Sequence, residues 1–142
     1  MDTRISLITL GVADLETSAL FYEALGWTRV QTPDTGIVVF DLLGQALGLF
    51  PIEALAKEFD RPVETLGRGA LTLAHNVASQ EQVDAIMASA KAAGAEILTP
   101  ARTVFWGGYS GYFSDPDGHI WEIAHNPFST LGPNGEFRWA GY

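Results

Sequence analysis

The sequence predicts an α+β fold of two β-α-β-β-β modules, forming curved mixed sheets around a cleft with the helices outside. Three observations predict it. The same order of elements, one strand, one helix and three strands, can be traced before residue 51 and again after residue 69. Ile8-Thr9-Leu10, near the start of the first half, matches Leu71-Thr72-Leu73 at the start of the second. Two apolar runs, 109–113 and 119–124, flank Asp115-Pro116-Asp117-Gly118, where Pro presets one turn dihedral and Gly supplies a positive φ; this is a β-hairpin signature. The expected organisation is a single domain over 1–142. Module one covers about 4–50, a connection 51–69, module two about 70–125, and an aromatic tail 126–142.

Each element has a local cause. Arg4 to Val12 is rich in β-branched residues and suits a strand. Asp14 offers an N-cap oxygen, and Leu15, Ala19, Phe21, Tyr22 and Leu25 supply an apolar stripe up to a stop at Gly26, so a helix follows. Trp27 to Gln31 and Gly36 to Leu42 read as the next two strands around a turn at Pro33-Asp34-Thr35-Gly36, and Gln45 to Phe50 as a fourth, joined through Gly44. Pro51 to Phe59 predicts a short helix with Pro at its first position, then a loop through Pro62 and Gly67 to Gly69.

The second half opens with a strand over Ala70 to Val77. Ser79 followed by Gln82 is a capping-box pattern, and Val83, Ile86, Met87, Ala90 and Ala93 keep helical spacing up to Gly94. Glu96 to Leu98 reads as a short strand, and Val104 to Trp106 as the lead into the closing hairpin.

A chain of 142 residues with 47% hydrophobic content is enough for one compact core, burying roughly two-thirds of its unfolded surface. Seventeen acids against eight bases give a net charge of -9, without a basic stripe. Nucleic acid is therefore an unexpected partner, and so is an anionic membrane surface. No apolar run approaches the ~20 residues that span a bilayer, and the first residues do not resemble a secretory signal, so a cytoplasmic location is expected. Zero cysteines exclude disulfides, thiol catalysis and Cys-ligated metal sites.

The chemistry concentrates on the second strand of the hairpin. Alternation puts Ile120, Glu122 and Ala124 on one face and His119, Trp121, Ile123 and His125 on the other. A carboxylate in so apolar a strand costs several kcal/mol if buried without a partner. Either it lies on a solvated face or pairs with an Arg, or it serves a ligand.

Ile8 to Leu15 with Phe21-Tyr22 and Leu25-Gly26, together with the closing Asp115-Pro116-Asp117-Gly118-His119-Ile120-Trp121-Glu122, resemble the vicinal oxygen chelate superfamily. That superfamily includes glyoxalase, extradiol dioxygenases, and fosfomycin- and bleomycin-resistance proteins. The resemblance covers residues 5–125 and implies the duplicated fold. It also implies a divalent metal held at four equivalent strand positions by His, Gln or Glu. In this chain those positions fall on Leu7, Gly48, Ala70 and Glu122, and of these side chains only Glu122 is a ligand type. Functional divalent sites need about three or four protein ligands, so no cofactor is expected. Members are commonly homodimers, which is the expected assembly here.

His75 is expected to point away from Glu122 if its strand is regular, and His119 and His125 are out of phase with it. The expected cleft is lined by small residues, including Thr9 and Thr72, and by the aromatic residues Trp106, Tyr109 and Tyr112. Glu122 would act there as an acceptor or cation binder, or more boldly as a general base. No Gly-x-Ser-x-Gly nucleophile segment and no phosphate-cradling Gly-x-Gly-x-x-Gly occur.

The expected function is glyoxalase/bleomycin-resistance-like binding of a small, partly apolar organic molecule in an aromatic cleft, with no metal. The alternatives are a metal-dependent lyase or dioxygenase with non-standard ligands such as His75 and Glu122, or a duplicated fold that serves only assembly. The aromatic tail, with Phe128, Phe137, Trp139 and Tyr142, is expected to pack on the sheet's outer face or across a subunit boundary.

Overall fold

Asp14 and Ser79 start the two long helices by the same device. The Asp14 carboxylate accepts from the Thr17 backbone N–H at 2.7 Å, and the Ser79 hydroxyl accepts from that of Gln82 at 3.3 Å. Gln82 reaches back to the N–H of Ala78, one residue earlier than a regular capping box requires. The structure is a computed structural model; it describes residues 1, 3–31, 36–67 and 70–142, and the chain divides into two compact units, Met1–Arg68 and Gly69–Tyr142.

In the first unit, β1 (Leu7–Val12), β2 (Val38–Leu42) and β3 (Gln45–Pro51) form a sheet in the order β1-β3-β2. The β1–β3 pair is parallel and the β2–β3 pair antiparallel. A parallel pair requires a long crossover, and α1 (Leu15–Ala24) lies on it. Its buried face, Ser18, Ala19, Phe21 and Tyr22, joins Leu10, Phe40, Leu47 and Leu49 in the core. Gly26, at φ +96°, turns the chain out of the helix.

The strand expected over Trp27 to Gln31 does not form. It is reduced to one bridge between Arg29 and Phe40 and a 2.8 Å bond from the Val30 N–H to the Val39 carbonyl. Trp27 goes into a ring cluster instead, 5.3 Å from Tyr22 and 5.7 Å from Phe40. Arg29 is drawn to α1, with its guanidinium on Glu16 at 2.8 Å and on Glu23 at 2.8 Å. Residues 33–35 of the expected turn lie outside the described residues, as do 68 and 69 of the connection. The short helix is present as α2 (Ile52–Glu58), with Pro51 as its N-cap and not its first helical residue.

In the second unit, β4 (Thr72–Asn76), β5 (Glu96–Thr103), β6 (Tyr109–Ser114) and β7 (Ile120–His125) form a sheet in the order β4-β7-β6-β5. Helix α3 (Gln80–Ala92) buries Val83, Met87 and Ala90 and packs on β5, β6 and β7, where Phe113, Trp121 and Ile123 are buried. The hairpin turn is held by Asp115, whose carboxylate accepts from the Asp117 N–H at 2.9 Å and the His119 N–H at 2.8 Å. Gly118 takes φ +86°, as the turn demands.

β5 is longer than its sequence suggests. It runs through Pro100, which is tolerated because β5 is an edge strand, and register shifts between Ile97 and Arg102 absorb the irregularity. Val104 to Trp106 is not a lead-in strand. It is a tight loop in which the Val104 N–H meets the Gly108 carbonyl at 2.9 Å.

Within the chain the aromatic rings of the tail do not pack on a sheet face, so of the two places expected for them only a subunit boundary remains. Phe128, Phe137, Trp139 and Tyr142 are all exposed. The tail folds on itself: the Ser129 hydroxyl donates to the Arg138 carbonyl at 2.6 Å, the Tyr142 N–H to the Thr130 carbonyl at 3.0 Å, and Arg138 lies over the Tyr142 ring.

Candidate functional site: the Glu122 face of the second sheet

The Asp115–His119 closure fixes the register of the hairpin, and that register decides what Glu122 meets. On β6, Tyr112 lies directly opposite Glu122; on β4, Ala74 does. Thr72, Ala74, Asn76, Ser110, Tyr112, Ser114, Ile120 and Ala124 therefore share its face. Glu122 and Tyr112 are half-buried, the Ser110–Ala124 pair beside them is buried, and Thr72 and Ala74 are exposed. The carboxylate thus lies between covered small residues and opens toward the β4 edge. Burial, then a hydrogen bond to the Glu122 carboxylate and its negative charge, raise the Tyr112 hydroxyl above the usual tyrosine range.

Within the second unit, Tyr109 and Trp106 lie apart from Glu122. Tyr109 is on the opposite face, where its hydroxyl donates to Asp84 of α3 at 2.8 Å. Trp106 sits in the β5–β6 loop, beyond the Tyr109–His125 end of the ladder. Three register steps, about 10 Å of strand, separate that end from Glu122. The Trp106 ring covers Gly108 so closely that any Cβ there would run into the indole. Thr9 belongs to the first unit, where it lies opposite Gly48. Asp84 was not singled out in the sequence, although helical spacing places it one residue past the buried Val83. Thr99, opposite Tyr112 on β5, was hidden by the irregular strand.

The histidines fall where strand alternation puts them. His75 pairs with Ile123, on the face opposite Glu122, and β4 carries no register shift along its ladder to β7. His125 approaches the Val77 carbonyl with Nδ1 at 3.2 Å. The His119 backbone N–H serves the Asp115 turn. The sheet therefore separates His75 from Glu122.

A match to the Glyoxalase/Bleomycin resistance protein/Dioxygenase superfamily spans residues 4–123. The chain belongs to that superfamily. It is similar to a glyoxalase-related enzyme from Fulvimarina pelagi, with 38% identity, TM-score 0.88, and coverage of 98% of this chain and 99% of that one. It also resembles a glyoxalase/bleomycin resistance protein/dioxygenase from Nocardioides, with 26% identity, TM-score 0.73, and coverage of 93% and 91%. A lactoylglutathione lyase from Agrobacterium tumefaciens shares the fold at 22% identity and TM-score 0.68, over 89% of this chain and 96% of that one. Comparison with curated protein sequences gave no match.

The superfamily's metal positions fall on Leu7, Gly48, Ala70 and Glu122 in this chain. In the first unit, a Cβ at Gly48 would meet Ile37 Cδ1 at 3.3 Å, Leu7 Cδ1 at 3.4 Å and Thr9 Oγ1 at 3.7 Å, so the place where a ligand would project is crowded. Ala70 precedes β4 and is exposed. Among the described residues, no three His, Cys, Asp or Glu side chains converge where a metal ion could be held. Leu, Gly and Ala offer no side-chain donor, and these residues do not fit a divalent metal at the family's usual place.

Proposed function

We propose that this glyoxalase/bleomycin-resistance-like chain binds a small, partly apolar organic molecule on the Glu122 face of its second sheet, without a metal. The supporting observation is Glu122 itself. It is half-buried in a strand of apolar residues, with only Ala74 and Tyr112 at its paired positions. Among the described residues no Arg or Lys occupies a paired position beside it, so the ion pair that would explain such a carboxylate structurally is missing there. A carboxylate with spare acceptor capacity beside apolar and aromatic surface has the ordinary composition of a small-molecule site.

The test uses the isotopically labelled full chain, treated with chelator and screened by two-dimensional NMR against small aromatic compounds. Binding should move the backbone signals of Thr72, Ala74, Tyr112 and Glu122, and Glu122→Ala should abolish the effect. Shifts confined to other residues, or none with any compound, would overturn the proposal.

A further inference from the structure

We propose that the aromatic tail and the β5–β6 loop together form the face through which two copies of this chain associate. This surface is separate from the Glu122 face and does not depend on what binds there. Six rings of the second unit make it up: Phe105, Trp106, Phe128, Phe137, Trp139 and Tyr142. Local contacts join them. A Cβ at Gly107 would stand 3.2 Å from Phe128 Cε2, so the loop that carries Phe105 and Trp106 lies against the Phe128 ring. The Ser129 hydroxyl, next along the chain, donates to the Arg138 carbonyl and anchors the segment that carries Phe137 and Trp139, whose rings meet edge to face at 6.4 Å. Tyr142 is tied to Thr130 through its backbone N–H, with the Arg138 guanidinium over its ring.

The size of the face suits a macromolecule and not a small ligand. Exposures run from 39% at Trp106 to 102% at Phe105, and together leave about four whole aromatic side chains in water, on the order of 800 Å². That exceeds the ~300–600 Å² of the largest apolar patch on an ordinary monomer, and equals the ~800 Å² that each partner gives to a stable complex. The tail also holds its rings out on a folded backbone. The Gly132 N–H donates to the Glu136 carbonyl at 2.8 Å and the Asn134 N–H to the Glu136 carboxylate at 2.9 Å, so association has little further ordering entropy to overcome.

Charge selects a second copy as the occupant. The chain carries -9, yet residues 104–109 hold no charged side chain and 126–142 hold only Glu136 and Arg138, which cancel. Two copies of so acidic a chain repel least where they meet through this neutral face, whereas a basic partner is drawn to the acids elsewhere. A two-fold axis sets the same rings against one another, and Trp139, Tyr142 and Arg138 are the residue types that anchor such contacts.

Sedimentation equilibrium of the full chain over a dilution series tests this, with Trp139→Asp, Phe128→Asp and, as a control, Leu43→Asp at an exposed apolar position in the first unit. All three positions are exposed, so far-UV circular dichroism should stay unchanged. The wild type should have twice the chain mass. Each tail variant should raise the dimer dissociation constant by about tenfold or more, and Leu43→Asp should not. A monomeric wild type would overturn the proposal, and flotation of that monomer with phosphatidylcholine vesicles would assign the rings to a lipid surface instead. A dimer that survives both tail variants, or that Leu43→Asp weakens as much, would place the boundary elsewhere and overturn it as well.

Discussion

Tyr112 and Glu122 face each other across the β6–β7 ladder, three residues back from Asp115 and three forward from His119, where the turn closes. The pairing gives the phenol a titration that can be observed. Its folded pKa is raised above the ordinary value of 10.0, first by burial and then by the hydrogen bond and charge of Glu122. A group raised in the folded state contributes stability that is fully present below its unfolded pKa and lost as pH rises through the folded one. Tyr112→Phe should therefore lower the melting temperature at neutral pH, and its deficit should shrink once pH exceeds 10. A deficit constant across that range would show that the two side chains are not coupled.

The Arg29 cluster predicts the opposite limb. Hydrogen bonding to Arg29 lowers the Glu16 carboxyl below its ordinary 4.5, so its contribution is present above that value and lost as pH falls. Arg29→Ala should reduce the melting temperature at neutral pH, with a gap to wild type that narrows below pH 4.5. Parallel pH profiles for the two proteins would contradict this.

Gly111 has no room for a side chain. A Cβ there would stand 2.9 Å from the Ala101 backbone N and 2.9 Å from Met87 Cε, and the strand backbone cannot yield as a flexible side chain does. Gly111→Ala should destabilise the fold by about 1–3 kcal/mol in urea unfolding. A neutral result would mean that β5 moves freely away from β6.

Asp115 is buried at 3% exposure and holds two backbone donors of the turn. Asp115→Ala leaves the Asp117 and His119 amides short of that acceptor, so a loss of about 1–3 kcal/mol is expected in the same measurement. Asp115→Asn, which keeps one carbonyl oxygen, should lose less.

Much of this was legible beforehand because the signals were local. Asp14, Ser79, Gly26 and Gly94 bound the helices, and Asp115 to Gly118 marked the hairpin whatever lay elsewhere. Tyr109 and Tyr112 were expected to line one cleft together; the ladder register is what sets Tyr112 opposite Glu122 and Tyr109 on the other face. What failed depended on tertiary context. Trp27 to Gln31 has strand composition, but Trp27 stacks on Tyr22 and Arg29 is held by two glutamates. Glu96 to Leu98 was read as a short strand, and only an edge position lets it continue through Pro100. The tail's aromatic content suggested packing on the sheet or across a subunit boundary, and the first does not occur within the chain, where Trp139 is 87% exposed.

The central claim is that Glu122 serves an organic ligand and not a metal. Elemental analysis of the purified chain, followed by thermal-shift titration of the chelator-treated protein with manganese, iron(II), zinc, nickel and magnesium, tests it most directly. The prediction is substoichiometric metal and an unchanged melting temperature with each ion. Stoichiometric metal, or a rise of several degrees with one ion that Glu122→Ala removes, would contradict it and make Glu122 a ligand of a metal-dependent enzyme.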